Sequence, residues 1–179
     1  MEYYTPRIQL HMNVIKDILS TVASKHGSKM LVFGLGYDSR MWYECTNKNT
    51  YFVENNYEYI KLNQAHISSD HIFHYTYPTR CDTSMSLKDT EITAIPLPDE
   101  ILARGPFDII LIDGPEGWKP ELPGRLLPCY WSTRMSKPGT IIYIDDSSRP
   151  LERYCIEKYY SGKIQSKFME RSQCTKIIF

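Results

Sequence analysis

Apolar residues along this chain follow two rhythms. Near the amino end Ile8, Met12, Ile15, Leu19 and Val22 recur at alternating steps of four and three, the one-sided stripe of an amphipathic helix. Thr5-Pro6 reads as its start, with proline at the first helical position, and His26-Gly27 as its end. Beyond it the apolar positions bunch into short runs, Met30–Gly34, Thr50–Glu54, Ile72–Tyr77, Phe107–Ile112 and Thr140–Ile144, of which the first is continuous. Runs of that kind predict strands buried on both faces, as in the middle of a parallel sheet. Between and after them, Asp38–Asn47, Tyr57–Ala65, Leu122–Met135 and Pro150–Tyr160 read as helices, with Pro123 and Pro128 obscuring the start of the third. Residues 81–100 are polar and punctuated by Pro96 and Pro98, which predicts a long loop with one short helix.

Strands that alternate with helices imply a parallel α/β sheet covered on both sides. The last two apolar segments, Ile164–Met169 and Cys174–Phe179, are separated only by Glu170-Arg-Ser-Gln173. So short a connection permits only an antiparallel pair. The expected architecture is α/β, a Rossmann-like class I methyltransferase fold: a mostly parallel central sheet, helices on both faces and a C-terminal antiparallel hairpin. No repeat, linker or low-complexity segment divides the chain, so residues 1–179 read as a single domain.

Composition narrows the partners. Lys+Arg and Asp+Glu both total 21, a formal net charge of zero, and no charge block or basic face points to nucleic acid. There is no apolar stretch near the roughly 18 residues that cross a bilayer and no signal-peptide pattern at the amino end, so no membrane partner is expected. Cys45, Cys81, Cys129, Cys155 and Cys174 are scattered and form no CxxC pair, which favours reduced, mostly buried thiols and a cytoplasmic setting. A neutral chain with 14 tyrosines is also compatible with a homo-oligomer.

The chemistry concentrates between Lys29 and Asn55. An apolar run enters Gly34-Leu35-Gly36, then Tyr37-Asp38-Ser39, a helical segment, a second apolar run and Glu54-Asn55. Strand, glycine turn, helix, strand and acid is the arrangement that holds a nucleotide-bearing cofactor at a sheet edge. A dinucleotide site would carry a third glycine where Ser39 stands, and Asp38 in the first helical turn would repel a pyrophosphate. A carboxylate there suits a positively charged cofactor, the ammonium or sulfonium of S-adenosylmethionine. Glu54 is placed to accept from a ribose diol, and Asn55 or the backbone after Asp113, at Gly114, to meet the adenine. The plainer reading of Asp38 is an ordinary helix cap.

A second set of acids lies where strands four and five end: Asp113, and Asp145 with Asp146. Carboxyl ends of parallel strands share one rim, so these acids should face the crevice of the glycine turn. Methyl transfer to an alcohol needs an aligned oxygen and a base for its proton. Asp113 is the candidate base, with Asp145 or Asp146 as alternatives, and the set could also hold a divalent metal that acidifies the hydroxyl. Arg125 and Arg149 are possible compensators of that charge, or forks for a substrate carboxylate or hydroxyl; a structural ion pair serves equally well for either. Trp118 could stack on a sugar ring, with burial in the core as the plainer reading. His66, His71 and His74 show no metal-ligand spacing and read as solvated or packed rings. Tyr75–Thr79, at the tip of strand three, is placed to close over cofactor or acceptor.

Leu31-Val-Phe-Gly-Leu-Gly-Tyr-Asp-Ser39 with Trp42 closely resembles the cofactor turn of the glucuronoxylan 4-O-methyltransferase family, a polysaccharide-biosynthesis domain of plant walls. Matching blocks follow in order: Phe52-Val-Glu54, Tyr77-Pro-Thr79, Phe107–Pro115 with Gly117, Pro123-Gly-Arg125, and Asp146 with Arg149 and Glu152. The resemblance implies an S-adenosylmethionine-dependent methyltransferase acting on a hydroxyl of a glycan, polysaccharide or nucleotide sugar. By that resemblance Gly34, Gly36, Asp38, Ser39 and Glu54 fall at cofactor positions, and Asp113, Arg125, Asp146 and Arg149 near the acceptor. Where the family carries His-Asp after strand five this chain has Asp145-Asp146, which favours a carboxylate or metal route. The family's membrane anchor and cysteine-rich insert are missing or shortened, which points to a different acceptor. The rival readings are a small-molecule or amine methyltransferase on the same fold and a catalytically idle cofactor-binding subunit of glycan assembly.

Overall fold

The computed structural model describes residues 7–169 and 173–179. Seven strands form one sheet: β1 (Met30–Phe33), β2 (Thr50–Glu54), β3 (Ile72–His74), β4 (Phe107–Ile112), β5 (Ser136–Ile144), β6 (Ile164–Phe168) and β7 (Cys174–Ile178). Their order across the sheet is β3-β2-β1-β4-β5-β7-β6. The first five run parallel, and β7 enters antiparallel between β5 and β6. That is the expected mostly parallel sheet with its antiparallel closing pair. The chain order reverses at β1, which pairs with β2 on one side and β4 on the other, so the tips of β1 and β4 flank the switch point where such sheets take ligands.

The period of two in a strand sends alternate side chains to opposite faces. Leu31 and Phe33 enter one core with Ile110, Ile112 and Trp131; Met30 and Val32 enter the other with Ile109, Leu111 and Trp42. Helices α1 (Met12–Ser24), α2 (Ser39–Cys45) and α3 (Tyr57–Asn63) lie on the second face. The first face carries α4 (Cys81–Ser84), α5 (Asp89–Thr93), α6 (Asp99–Leu102), α7 (Leu126–Met135) and α8 (Pro150–Tyr160). Because both faces are covered, β1, β2 and β4 are almost wholly buried. A clamp on the α1 face adds polar bonds: Asp17 Oδ2 accepts from the Tyr143 hydroxyl at 2.6 Å and from Lys176 Nζ at 2.7 Å.

Several expected boundaries move. Thr5-Pro6 lies outside the described residues, but residues 7–11 are not helical and α1 begins at Met12, where His11 Nδ1 accepts from the Asn13 N–H. The third strand ends at His74, with one further bond from the Tyr75 N–H to the Glu54 carbonyl at 2.9 Å before the chain reaches Pro78, which has no N–H to donate. Residues 81–102 hold three short helices rather than one. The α7 helix starts at Leu126, after the turn through Pro123-Gly124, and β5 begins four residues earlier than its apolar run, at Ser136. The linker residues 170–172 lie outside the described residues.

Candidate active site

The glycine turn joins β1 to α2. Gly34 has a φ of +114°, a conformation that excludes a β-carbon in most settings. Its bareness serves the fold: a β-carbon on Gly34 would lie 3.1 Å from the Gly114 nitrogen, and one on Gly114 would lie 2.9 Å from Gly34 Cα. The two glycines thus let the tips of β1 and β4 touch. Gly36 differs, since a β-carbon there would come within 2.9 Å of Asp38 Oδ1. The Gly36 N–H donates to Ser39 Oγ at 2.8 Å, which closes the turn. Leu35 is buried beside it.

Asp38 occupies the N-cap position of α2, but its side chain does not act as a cap. It makes no capping bond; its Oδ2 accepts from the Trp42 indole N–H at 2.8 Å. Burial, with the nearby Asp113 charge, pushes its carboxyl up to about 7. A cation beside it would relieve that cost, so the turn suits a positively charged ligand and repels a phosphate.

Glu54 stands at the tip of β2 as expected, but its carboxylate faces the backbone. Oε2 accepts from the Leu35 N–H at 2.6 Å, and Oε1 from Asn55 and Asn56 N–H at 2.7 and 2.6 Å. A carboxylate offers about four lone-pair sites, so one is left for a ribose hydroxyl. Burial raises its pKa and the three N–H donors oppose that rise. Asn55 is half-buried, its amide tied to Glu54. Tyr77 is buried nearby with a hydroxyl that has no partner, and the Glu54 charge adds to burial in raising its pKa.

Across the switch point the acids gather around one arginine. Arg125, 3% exposed, donates from Nη2 to the Asp113 carbonyl at 2.6 Å and to Asp146 Oδ2 at 3.0 Å, and from Nη1 to the Asp145 carbonyl. Its link to Asp113 Oδ1 is long, 3.5 Å. It therefore rivets the ends of β4 and β5 while neutralising what surrounds it, and the compensating reading of Arg125 is the one the geometry realises. Arg149 meets Asp146 Oδ2 at 2.7 Å. Asp146 itself sits at a φ of +54°, a region aspartate tolerates better than most residues.

Burial, then the Asp113 charge, pushes the Asp145 carboxyl up to about 8, and burial also raises Asp113. Of the two neighbouring acids Asp145 is pushed highest, so it holds its proton at neutral pH. Exposure ranks the acids: the Asp113 side chain is 33% exposed, that of Asp146 19%, whereas Asp145 as a residue is 7% exposed. Asp113 is the acid a ligand reaches.

One member of the cluster escaped the sequence reading as a site residue. Glu152, in the first turn of α8, is 1% exposed; its Oε1 has no partner, and neither has Arg125 Nε. An acid two residues after Pro150, in the first turn of the helix that Arg149-Pro150 opens, was the available signal. Among the described residues no three His, Cys, Asp or Glu side chains converge to hold a metal ion. His71 stacks on Tyr51 at 4.5 Å and His74 on Tyr57 at 4.1 Å, while His66 is exposed, all away from this cluster. Trp118 is 60% exposed, against the expectation of core burial.

The chain matches no protein-family model. It is 28% identical over 197 residues to glucuronoxylan 4-O-methyltransferase 1 of Arabidopsis thaliana, across 96% of this chain and 68% of that protein. Arabinogalactan O-methyltransferase 1 of the same plant is 25% identical over 182 residues, 87% of this chain and 60% of its own length. The chain thus spans about two thirds of these curated relatives, and it resembles the glucuronoxylan 4-O-methyltransferases over most of its own length. Among solved structures, a methyltransferase of Pyrococcus furiosus superposes with a TM-score of 0.55 at 15% identity, over 98% of this chain and 86% of that one. The Podospora anserina methyltransferase PaMTH1, crystallised with S-adenosylhomocysteine, gives 0.50 at 13%, over 89% and 76%. The fold is that of class I methyltransferases, and the relatives' names together with it support an enzyme of the O-methyltransferase class.

Proposed function

We propose that this chain is an S-adenosylmethionine-dependent O-methyltransferase that transfers a methyl group to a sugar hydroxyl of a glycan, polysaccharide or nucleotide sugar. The observation that carries the reading is the position of Asp113. It is the most exposed acid of the rim, it neighbours the buried Asp145, and its charge is felt by Asp38 across the switch point.

The turn fits the charged end of the cofactor better than its ribose. Asp38 offers a buried carboxylate without a cation, whereas Glu54 is largely taken up by backbone amides. When bound, S-adenosylmethionine supplies a methyl group on a positively charged sulfur. Asp38 holds negative charge beside that group. Asp113 accepts the hydroxyl proton of the acceptor as its oxygen is alkylated, acting as general base. Asp145 keeps its own proton and so adds no second negative charge beside Asp113. Arg125 fixes both through the ends of β4 and β5, and Arg149, 29% exposed, is free on one side to meet an acceptor oxygen.

Two measurements test this. Isothermal titration with S-adenosylhomocysteine should give a binding heat, and Asp113→Asn should keep that heat while turnover on an accepted glycan drops by about 10²- to 10⁴-fold. Mass spectrometry of a glycan panel incubated with labelled cofactor reads the transfer. No heat sinks the cofactor assignment; unchanged turnover in Asp113→Asn removes the base. We further place the protein in the cytoplasm. Five free thiols, buried or half-buried, support a reducing compartment, and among the described residues no helix is long and apolar enough to cross a membrane. Cell fractionation decides it.

A further inference from the structure

The loop between β4 and α7 leaves the sheet at Asp113 and returns at Arg125, so both its ends belong to the charged rim. It is held along its length. The Gly124 N–H donates to the Glu116 carbonyl at 3.0 Å, and Leu122 N–H to Lys119 at 3.2 Å. The Cys81 and Asp82 N–H groups donate to Leu122 and Pro120 at 2.8 and 3.1 Å. Gly117 is wedged inward, where a β-carbon would lie 3.3 Å from Gly124 Cα and 3.5 Å from Glu152 Oε1. The next residue, Trp118, points the other way and is 60% exposed. The other two tryptophans, Trp42 and Trp131, are wholly buried. Lys119 Nζ lies 4.4 Å from the Trp118 ring centroid and covers one face of the indole.

An exposed indole, on a loop that is hydrogen-bonded along its backbone and whose two ends are Asp113 and Arg125 of the charged rim, has the form of a sugar-binding platform. A pyranose carries an apolar C–H face that packs on an aromatic ring while its hydroxyls reach polar neighbours, and such packing loses little side-chain entropy when the ring is already held. We infer that Trp118 is the stacking platform for the acceptor's sugar ring and positions its hydroxyl toward Asp113. The inference rests on the sugar-methylating reading above.

Because Trp42 and Trp131 are buried, quenching of tryptophan fluorescence by acrylamide reports on Trp118. The probes are soluble fragments of glucuronoxylan and of arabinogalactan, each titrated with and without S-adenosylhomocysteine. A fragment that binds should shield Trp118 and lower the quenching constant. Trp118→Ala should abolish the shielding and raise the acceptor KM by about three- to tenfold, the size of an aromatic packing contact. In that variant kcat at saturating acceptor and S-adenosylhomocysteine affinity should shift by less than about twofold, and Trp118→Phe should restore most of the KM. Quenching that no fragment alters, or an unchanged KM in Trp118→Ala, overturns the platform. Failure of the methyltransferase reading shows separately, as absent S-adenosylhomocysteine heat in the unaltered protein, since the quenching experiment needs no cofactor.

Discussion

Glu54 and Asp145 sit at the tips of two strands in one sheet, 5% and 7% exposed, and solve the same problem in opposite ways. Glu54 takes three backbone N–H groups and keeps its charge in one place. Asp145 has Asp113 as its neighbour and keeps a proton instead. A carboxylate captured by amides belongs to the fold, because those donors cannot leave without undoing the turn. A carboxyl group kept protonated by burial and a neighbouring acid answers to whatever charge arrives. The cleft thus has a fixed wall at β1–β2 and a titratable wall at β4–β5, joined through Asp38.

The largest break in this contrast comes from Arg125→Met. It leaves Asp113 and Asp146 without their buried cation, and removing one partner of such a set costs about 3–5 kcal/mol. Urea unfolding at pH 7.5 measures it, and the loss should shrink at pH 5, where more of the acids are neutral. A loss below about 1 kcal/mol at both pH values would mean the arginine carries no such burden. Next comes Glu54→Gln. An amide replaces one oxygen with a donor and sets N–H against N–H, a cost of about 1–3 kcal/mol. Because burial raises the Glu54 pKa, that cost should be no smaller at pH 5.5 than at pH 8; a cost that grows with pH would mean the three N–H donors outweigh burial.

The gentlest effect is spread over several pH units. Asp38 and Asp145 have folded values near 7 and 8, above the ordinary 3.8. Between those limits the folded chain holds more protons than the unfolded one, so its stability falls as pH rises from about 4 to about 8, by at most about 1.4 kcal/mol per pH unit for each group. The melting temperature should therefore be higher at pH 5.5 than at pH 8.5. Asp145→Asn should flatten the slope, and S-adenosylmethionine should flatten it more than S-adenosylhomocysteine, whose sulfur is uncharged. A melting temperature that climbs with pH would remove the proton from Asp145.

Strands β2 and β4 were legible to the residue, because largely apolar runs such as Phe107–Ile112 have one stable use in a sheet buried on both faces. The helices of residues 81–102 were not: four or five residues are too few to show a repeating stripe. Tyr75 and Tyr77 continue the apolar run past the last paired residue of β3, so the run reads three residues too long. In the site, Asp38 and the rim acids could be placed from strand ends alone. The capture of Glu54 by Leu35, Asn55 and Asn56 could not, because it is made of backbone N–H groups that every residue possesses. Trp118 was open to two readings, and only the packing of Gly117 against Gly124 and α8 turns the indole outward.

Strand β7 is made after β6 yet lies inside it, paired to β5 on one side and β6 on the other. On a ribosome the chain emerges in order, so β6 has no place in the sheet until residues 174–178 follow. Until then the β5 edge stands open, with the apolar Ile141, Ile142 and Ile144 along it. A nascent chain stalled before β7 would present that edge to any passing strand, the route by which sheets aggregate. The short stretch Cys174–Ile178 is therefore the seal of that edge, and the nascent sheet depends on how quickly it arrives after β6.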